Sequence, residues 1–130
     1  MNKHYYEMKD DKDKRKALFP REVLPIIYRK ESPYAKLMFE ILSNVKDMVG
    51  CVEEVLQFGA KKYEPDGWKS VENAEQRYWN AFVKYNSYRD AILYMDSVDE
   101  ESDLPHANHA LCNLVFLLWF EECRSTPCVK

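Results

Sequence analysis

The sequence predicts an all-α fold, a helical bundle of about four helices, and three observations carry that prediction. Apolar residues recur at helical spacing along most of the chain. Glycine occurs only 3 times in 130 residues. No segment alternates apolar and polar residues between hairpin turns, so a sheet has no support. The apolar fraction of 46%, with nine Tyr, six Phe and three Trp, supplies one continuous core, and a chain of this length does not hold two. The expected organisation is a charged N-terminal arm at 1–18, free or laid over the domain as a strap, followed by a single domain at 19–130.

Taken in order, the arm is polar and has no apolar stretch of the signal-peptide kind. A short helix is expected at 20–29, with Pro20 suited to its first position and Pro25 bending it. Ser32-Pro33 starts the next helix, because apolar residues then recur at Leu37, Met38, Ile41, Leu42, Val45, Met48, Val49, Val52, Val55 and Leu56. That spacing reads as one continuous helix of roughly five turns or more. On it Asp47, Glu54, Gln57 and Lys61 fall on the polar side, whereas Glu53 lies at the edge of the apolar stripe. Gly59 and KKYEPDGW end the pattern, with turn chemistry at Pro65-Asp66-Gly67.

A further helix is expected from Asn73, with Gln76 as its capping-box partner, carrying Tyr78, Trp79, Phe82, Tyr85, Tyr88, Ile92 and Met95. The acidic loop DSVDEESD ends it. Asp103 is the natural N-cap of the last helix, HANHALCNLVFLLWFEE, with Pro105 in its first turn. The longest apolar run, 114–120, is far too short to span a bilayer.

With 19 basic and 22 acidic residues and a net charge of −3, no overall field would hold the protein on nucleic acid or an anionic membrane. Any anion must be held locally. Cys51, Cys112, Cys123 and Cys128 have no Cys-x-x-Cys spacing, which favours reduced thiols in a cytoplasm over disulfides or a structural zinc.

Three constellations bear on chemistry. His106, His109 and Asn113 are spaced i, i+3, i+7 and share a stripe with the apolar Ala110 and Leu117. Left unpaired there, each would cost about 1–3 kcal/mol, so each needs a ligand, a metal or a neighbouring side chain. Their His-x-x-His spacing is not that of a zinc protease. Asp96, Asp99, Glu100, Glu101 and Asp103 form a carboxylate-rich loop that could hold a hard cation or simply be solvated before a helix. Phe58-Gly59-Ala60-Lys61-Lys62-Tyr63 sets two lysines beside aromatics, a composition that grips phosphates and stacks a base, with Trp68 close by. The lysines alone would also suit an ordinary helix end.

FGAKKYEPDGW at 58–68 and DEESDLPHANHALCNLVFLLWFE at 99–121, with KDDKDKRKALFPREVL at 9–24, resemble the signatures of phage dATP/dGTP diphosphohydrolases, relatives of the MazG-like all-α nucleotide pyrophosphohydrolases. The resemblance implies attack of water on the α-phosphorus of a purine deoxynucleoside triphosphate, giving monophosphate and pyrophosphate with Mg2+ or Mn2+. It implies Glu53, Asp99 and Glu101 as metal-facing carboxylates, with Glu53, His106 and His109 in the catalytic set. Lys61 and Lys62 would take phosphate, Tyr63 and Trp68 the base, and Lys84 and Asn113 further substrate contacts. The sequence departs from the pattern at Lys84-Tyr85, where Arg-His is usual, at Asp103 for a glycine, and at Gly67 for an asparagine. Residues 29–49 read as an extension. These departures leave open a non-catalytic nucleotide or nucleotide-signal binding protein, or an oligomeric interaction module. A homo-oligomer is expected in any case, because the long apolar-striped helix exceeds what one small core covers.

Overall fold

The computed structural model describes residues 18–29, 31–42, 47–83 and 97–125. The arm before Leu18, Lys84 and Tyr85, the Tyr88, Ile92 and Met95 positions, Asp96 and Cys128 lie outside the described residues. A 3-10 turn, Arg21–Val23, runs directly into a short helix α1, Leu24–Ile27. Pro20 stands before the first of these and Pro25 in the first turn of the second, positions where a missing N–H costs no hydrogen bond. The bent helix expected at 20–29 is therefore two short pieces, with Pro20 just before the first and Pro25 in the first turn of the second.

Helix α2, Pro33–Leu42, starts where the Ser-Pro pair predicts. Ser32 Oγ accepts the N–H of Ala35 at 3.4 Å and donates to Glu121 Oε1 at 2.8 Å, so one hydroxyl caps α2 and ties it to the last helix. Helix α3, Met48–Ala60, is separate from α2, which corrects the single long helix. Asp47 leaves helical geometry at φ −131° and ψ 87°, and its carboxylate accepts Gly50 N–H at 3.0 Å. The apolar period runs across this break because both helices bury the same kind of stripe, and period alone does not register an N-cap. A Cβ at Gly50 would collide with the Asp47 carboxylate.

After a 3-10 turn at Gly67–Ser70, α4 spans Ala74–Val83 and α5 spans His106–Ser125. Asn73 has φ 56°, not the extended backbone of an ordinary N-cap, and Gln76 Nε2 donates to Asn80 Oδ1 at 3.3 Å. Asn73 still stands directly before α4, and its O accepts Arg77 N–H at 3.0 Å, whereas Asp103 is not the residue before α5. It sits at φ 63° inside a turn, a conformation that Asp and Asn tolerate better than other side chains. The turn is closed by Asp99 N–H on Leu104 O at 2.9 Å and His106 N–H on Ser97 O at 3.1 Å, with an isolated bridge between Val98 and Pro105. This small closed loop holds the acidic residues against the start of α5. Among the described residues there is no strand.

Helix α5 is the axis of the bundle. Leu111, Leu114, Val115, Leu117 and Leu118 are fully buried, and α2, α3 and α4 all pack on them. Val23, Ile27, Met38, Ile41, Val52 and Phe82 complete the core from the surrounding elements. A helix surrounded in this way is apolar on nearly all sides in its middle turns, with the half-buried Asn113 the polar exception. No described helix is long and apolar enough to cross a membrane.

Candidate nucleotide site

A cleft of about 1150 Å³ opens between the end of α3, the turn that follows it, α4 and the first half of α5. Its apolar interior is made by Val55, Leu56 and Phe58 of α3, Tyr78 and Ala81 of α4, and Cys112 and Phe116 of α5. Its rim is charged, with Lys61, Lys62, Glu64 and Asp66 on one side and Glu101 facing them from the acidic loop. A second depression, about 150 Å³ beside Arg29 and Ser32, is too small for a nucleotide.

Seven of the residues singled out in the sequence line the cleft: Lys61, Lys62, Tyr63, Trp68, Glu101, His109 and Asn113. Asp99 stands just behind, its Oδ2 4.0 Å from His109 Nε2. His106 is turned to the loop, with Nδ1 3.0 Å from Ser97 Oγ. Glu53 is not brought to this group. Oε2 accepts Leu18 N–H at 2.9 Å, Oε1 accepts Phe19 N–H at 3.0 Å, and Gln57 Nε2 adds a third donor at 3.2 Å. Glu53 does lie at the edge of the apolar face, as its projection predicts, but backbone amides meet it there.

The His109 environment is a small relay. Ser102 Oγ lies 2.7 Å from His109 Nε2, and Asp99 Oδ2 accepts the Ser102 backbone N–H at 2.8 Å. Burial lowers the His109 pKa below its usual value; the nearby Asp99 and Glu101 charges oppose this only in part, and His106 adds to it. The ring is therefore neutral at pH 7. At Asp99 burial pushes upward, but the Ser102 N–H and hydroxyl and the proximity of His109 outweigh it and hold the carboxyl below its ordinary range. A carboxylate that stays charged beside a neutral imidazole is suited to stabilise that imidazole once it takes a proton.

At the mouth, Lys62 pairs with Glu101, which raises the lysine pKa. The Lys62 ammonium also lies over the rings of Phe58 at 5.2 Å and Tyr63 at 5.6 Å. Tyr63 is 68% exposed. Lys61 is exposed and has no ion pair among the described residues, and the same holds for Arg77 of α4, which lines the opposite wall. Sequence reasoning passed over Arg77; the signal was its place on one helical face with Tyr78 and Ala81, which also line the cleft.

Trp68 forms a wall. Its ring stacks on Phe116 at 4.2 Å and meets Trp119 and Phe120 edge-on, while Tyr78 donates its hydroxyl to Trp68 O at 2.9 Å. Burial lifts the Tyr78 phenol to about 12, so it remains a donor. The Trp68 indole N–H is buried without a hydrogen-bond partner among the described residues. Among the described residues no three His, Cys, Asp or Glu side chains gather into a metal site. Mg2+, however, commonly takes only one or two carboxylates and completes its shell with phosphate and water. Glu101 at the cleft mouth and Asp99 just behind it, on one loop, fit that lesser demand.

The class is thus an all-α bundle with one cleft that joins an apolar interior to a rim of mixed charge and an acidic loop. The family model described as dATP/dGTP diphosphohydrolase, N-terminal, matches residues 29–126, and the chain belongs to that family. Its all-α bundle agrees with the MazG-like fold that the resemblance implies. The match takes in 29–49, which is thus part of the family's domain and not an extension, and it leaves out 9–24. No curated protein and no solved structure matches the chain.

Proposed function

We propose that the cleft binds a purine deoxynucleoside triphosphate and hydrolyses it to the monophosphate and pyrophosphate. The observation that carries this reading is the meeting of Lys61, Lys62 and Arg77 with the Asp99-Ser102-His109 relay around one cleft. The three cations offset the phosphate charge that repels an incoming nucleophile. His109, neutral at pH 7, takes the proton of the attacking water, and Asp99 stabilises the imidazolium so formed. His106, fixed through Ser97, lies one turn earlier on α5 and keeps the loop at the helix start. Asp99 and Glu101 are the side chains that would hold Mg2+ or Mn2+, which supplies further polarisation of the phosphate oxygens when bound. The apolar interior receives the base, while Tyr63 stays at the lysine end, where the Lys62 ammonium lies over its ring.

A second reading, a nucleotide-binding protein without turnover, is favoured by one observation. Glu53 is engaged by Leu18 and Phe19, and Glu101 by Lys62. Both readings are compatible with a homo-oligomer, for which Phe39 of α2 and Trp79 and Val83 of α4 offer exposed apolar surface. Incubation with dATP or dGTP and Mg2+ or Mn2+ separates the two: the enzyme releases pyrophosphate, and the binder gives only complex formation.

A further inference from the structure

We infer that Asn113 reads the edge of the base and that the cleft prefers adenine to guanine. The inference rests on the nucleotide-binding reading above and goes further by assigning the specificity determinant.

The polar side chains in the first half of α5 are otherwise engaged. His106 meets Ser97, Asn108 donates to Glu54 Oε1 at 3.1 Å, and His109 meets Ser102. Asn113 lines the cleft, and its carboxamide has no hydrogen-bond partner among the described residues. It is also the neutral exception to the charged rim. Around it on α5 stand Phe116 and the buried Cys112, whose thiol burial keeps protonated.

Position along α5 sorts the cleft into two ends. His109 marks the end where Lys62 and Glu101 meet, and the helical rise puts Asn113 about 6 Å further along the axis. Phosphates belong with Lys61 and Lys62 at the first end, which leaves the apolar stretch around Asn113 for the base.

A carboxamide offers one donor and one acceptor side by side. The N6–H2 and N7 edge of adenine presents their complement, and both bonds form together. On the corresponding edge guanine presents two acceptors, O6 and N7, so one of them is left facing the amide oxygen. Held on that edge, Asn113 favours adenine, and Asn113→Leu, which neither donates nor accepts, should remove the preference.

The test is calorimetric titration of dATP and dGTP, without divalent metal so that turnover does not interfere, into wild type, Asn113→Ala and Asn113→Leu. Circular dichroism checks each fold. Wild type should bind dATP about tenfold tighter than dGTP. Both variants should bring the ratio near one. If one of them fails to fold, the ratio of the other decides. Wild type binding both nucleotides with a ratio unchanged by substitution, or preferring dGTP, overturns the role of Asn113 and leaves the nucleotide reading intact. Binding of neither nucleotide overturns both.

Discussion

Glu53 holds the backbone of Leu18, accepting its N–H through Oε2 at 2.9 Å while Oε1 takes that of Phe19 at 3.0 Å. One carboxylate on α3 thereby fastens the chain that leads into the 3-10 turn, and Leu18 itself reaches the cleft wall. Glu53→Gln replaces an acceptor oxygen by a donor in front of these N–H groups. We expect a loss of about 2 kcal/mol in unfolding free energy, measured by urea denaturation. Lost turnover at unchanged stability would instead put Glu53 at the chemistry.

His109 gives the protein a pH dependence of definite sign. Because burial holds the folded-state pKa below the ordinary 6.5, the unfolded chain binds more protons between the two values, and stability rises with pH across that interval. Melting temperature should therefore fall as pH drops below about 6.5. His109→Gln should flatten that slope. The contribution of Asp99 is separate: its depressed pKa keeps it charged until the pH falls below 3.8. A wild-type melting profile that is flat from 7 to 5 would contradict the burial of His109.

Glu101 and phosphate compete for Lys62. In metal-free buffer Glu101→Gln should tighten dATP binding by about two- to fivefold, the scale of an exposed ion pair, and Lys62→Met should weaken it. With Mg2+ present, Glu101→Gln should lower turnover. Weaker metal-free binding in Glu101→Gln would show that the two groups do not compete.

The separation of α2 from α3 rests on Asp47 and Gly50. Asp47→Ala should cost about 1 kcal/mol through the lost cap. Gly50→Ala should cost a similar amount, because its Cβ displaces the same carboxylate. The double variant should be little worse than either single one, since both remove one interaction. Additive losses in thermal denaturation would refute that coupling.

The helical class and the buried stripe of α5 were legible because a 3.6-residue period survives in the sequence wherever a helix faces a core. The Asp47 break was hidden because apolar spacing continues through it. Asp103 looks like an N-cap from its chemistry, yet its backbone at φ 63° belongs to a turn closed by Ser97, Asp99 and Leu104, a pairing no local pattern records. At the site, Lys61 to Tyr63 and the His109 and Asn113 positions were legible as polar or aromatic anomalies. Arg77 was not, since an arginine on a helix is ordinarily solvated and only the shape of the cleft gives it a role. Helical projection placed Glu53 at the right edge of α3, but it could not show that the chain at Leu18 would reach it.

The most direct test of the account is product analysis of purified protein incubated with dATP or dGTP and Mg2+, with His109→Ala alongside. The expected result is one deoxynucleoside monophosphate and one pyrophosphate per triphosphate consumed, and loss of both products in His109→Ala while its helical circular dichroism persists. Nucleotide binding without pyrophosphate release in either Mg2+ or Mn2+, or release of inorganic phosphate in place of pyrophosphate, would contradict it.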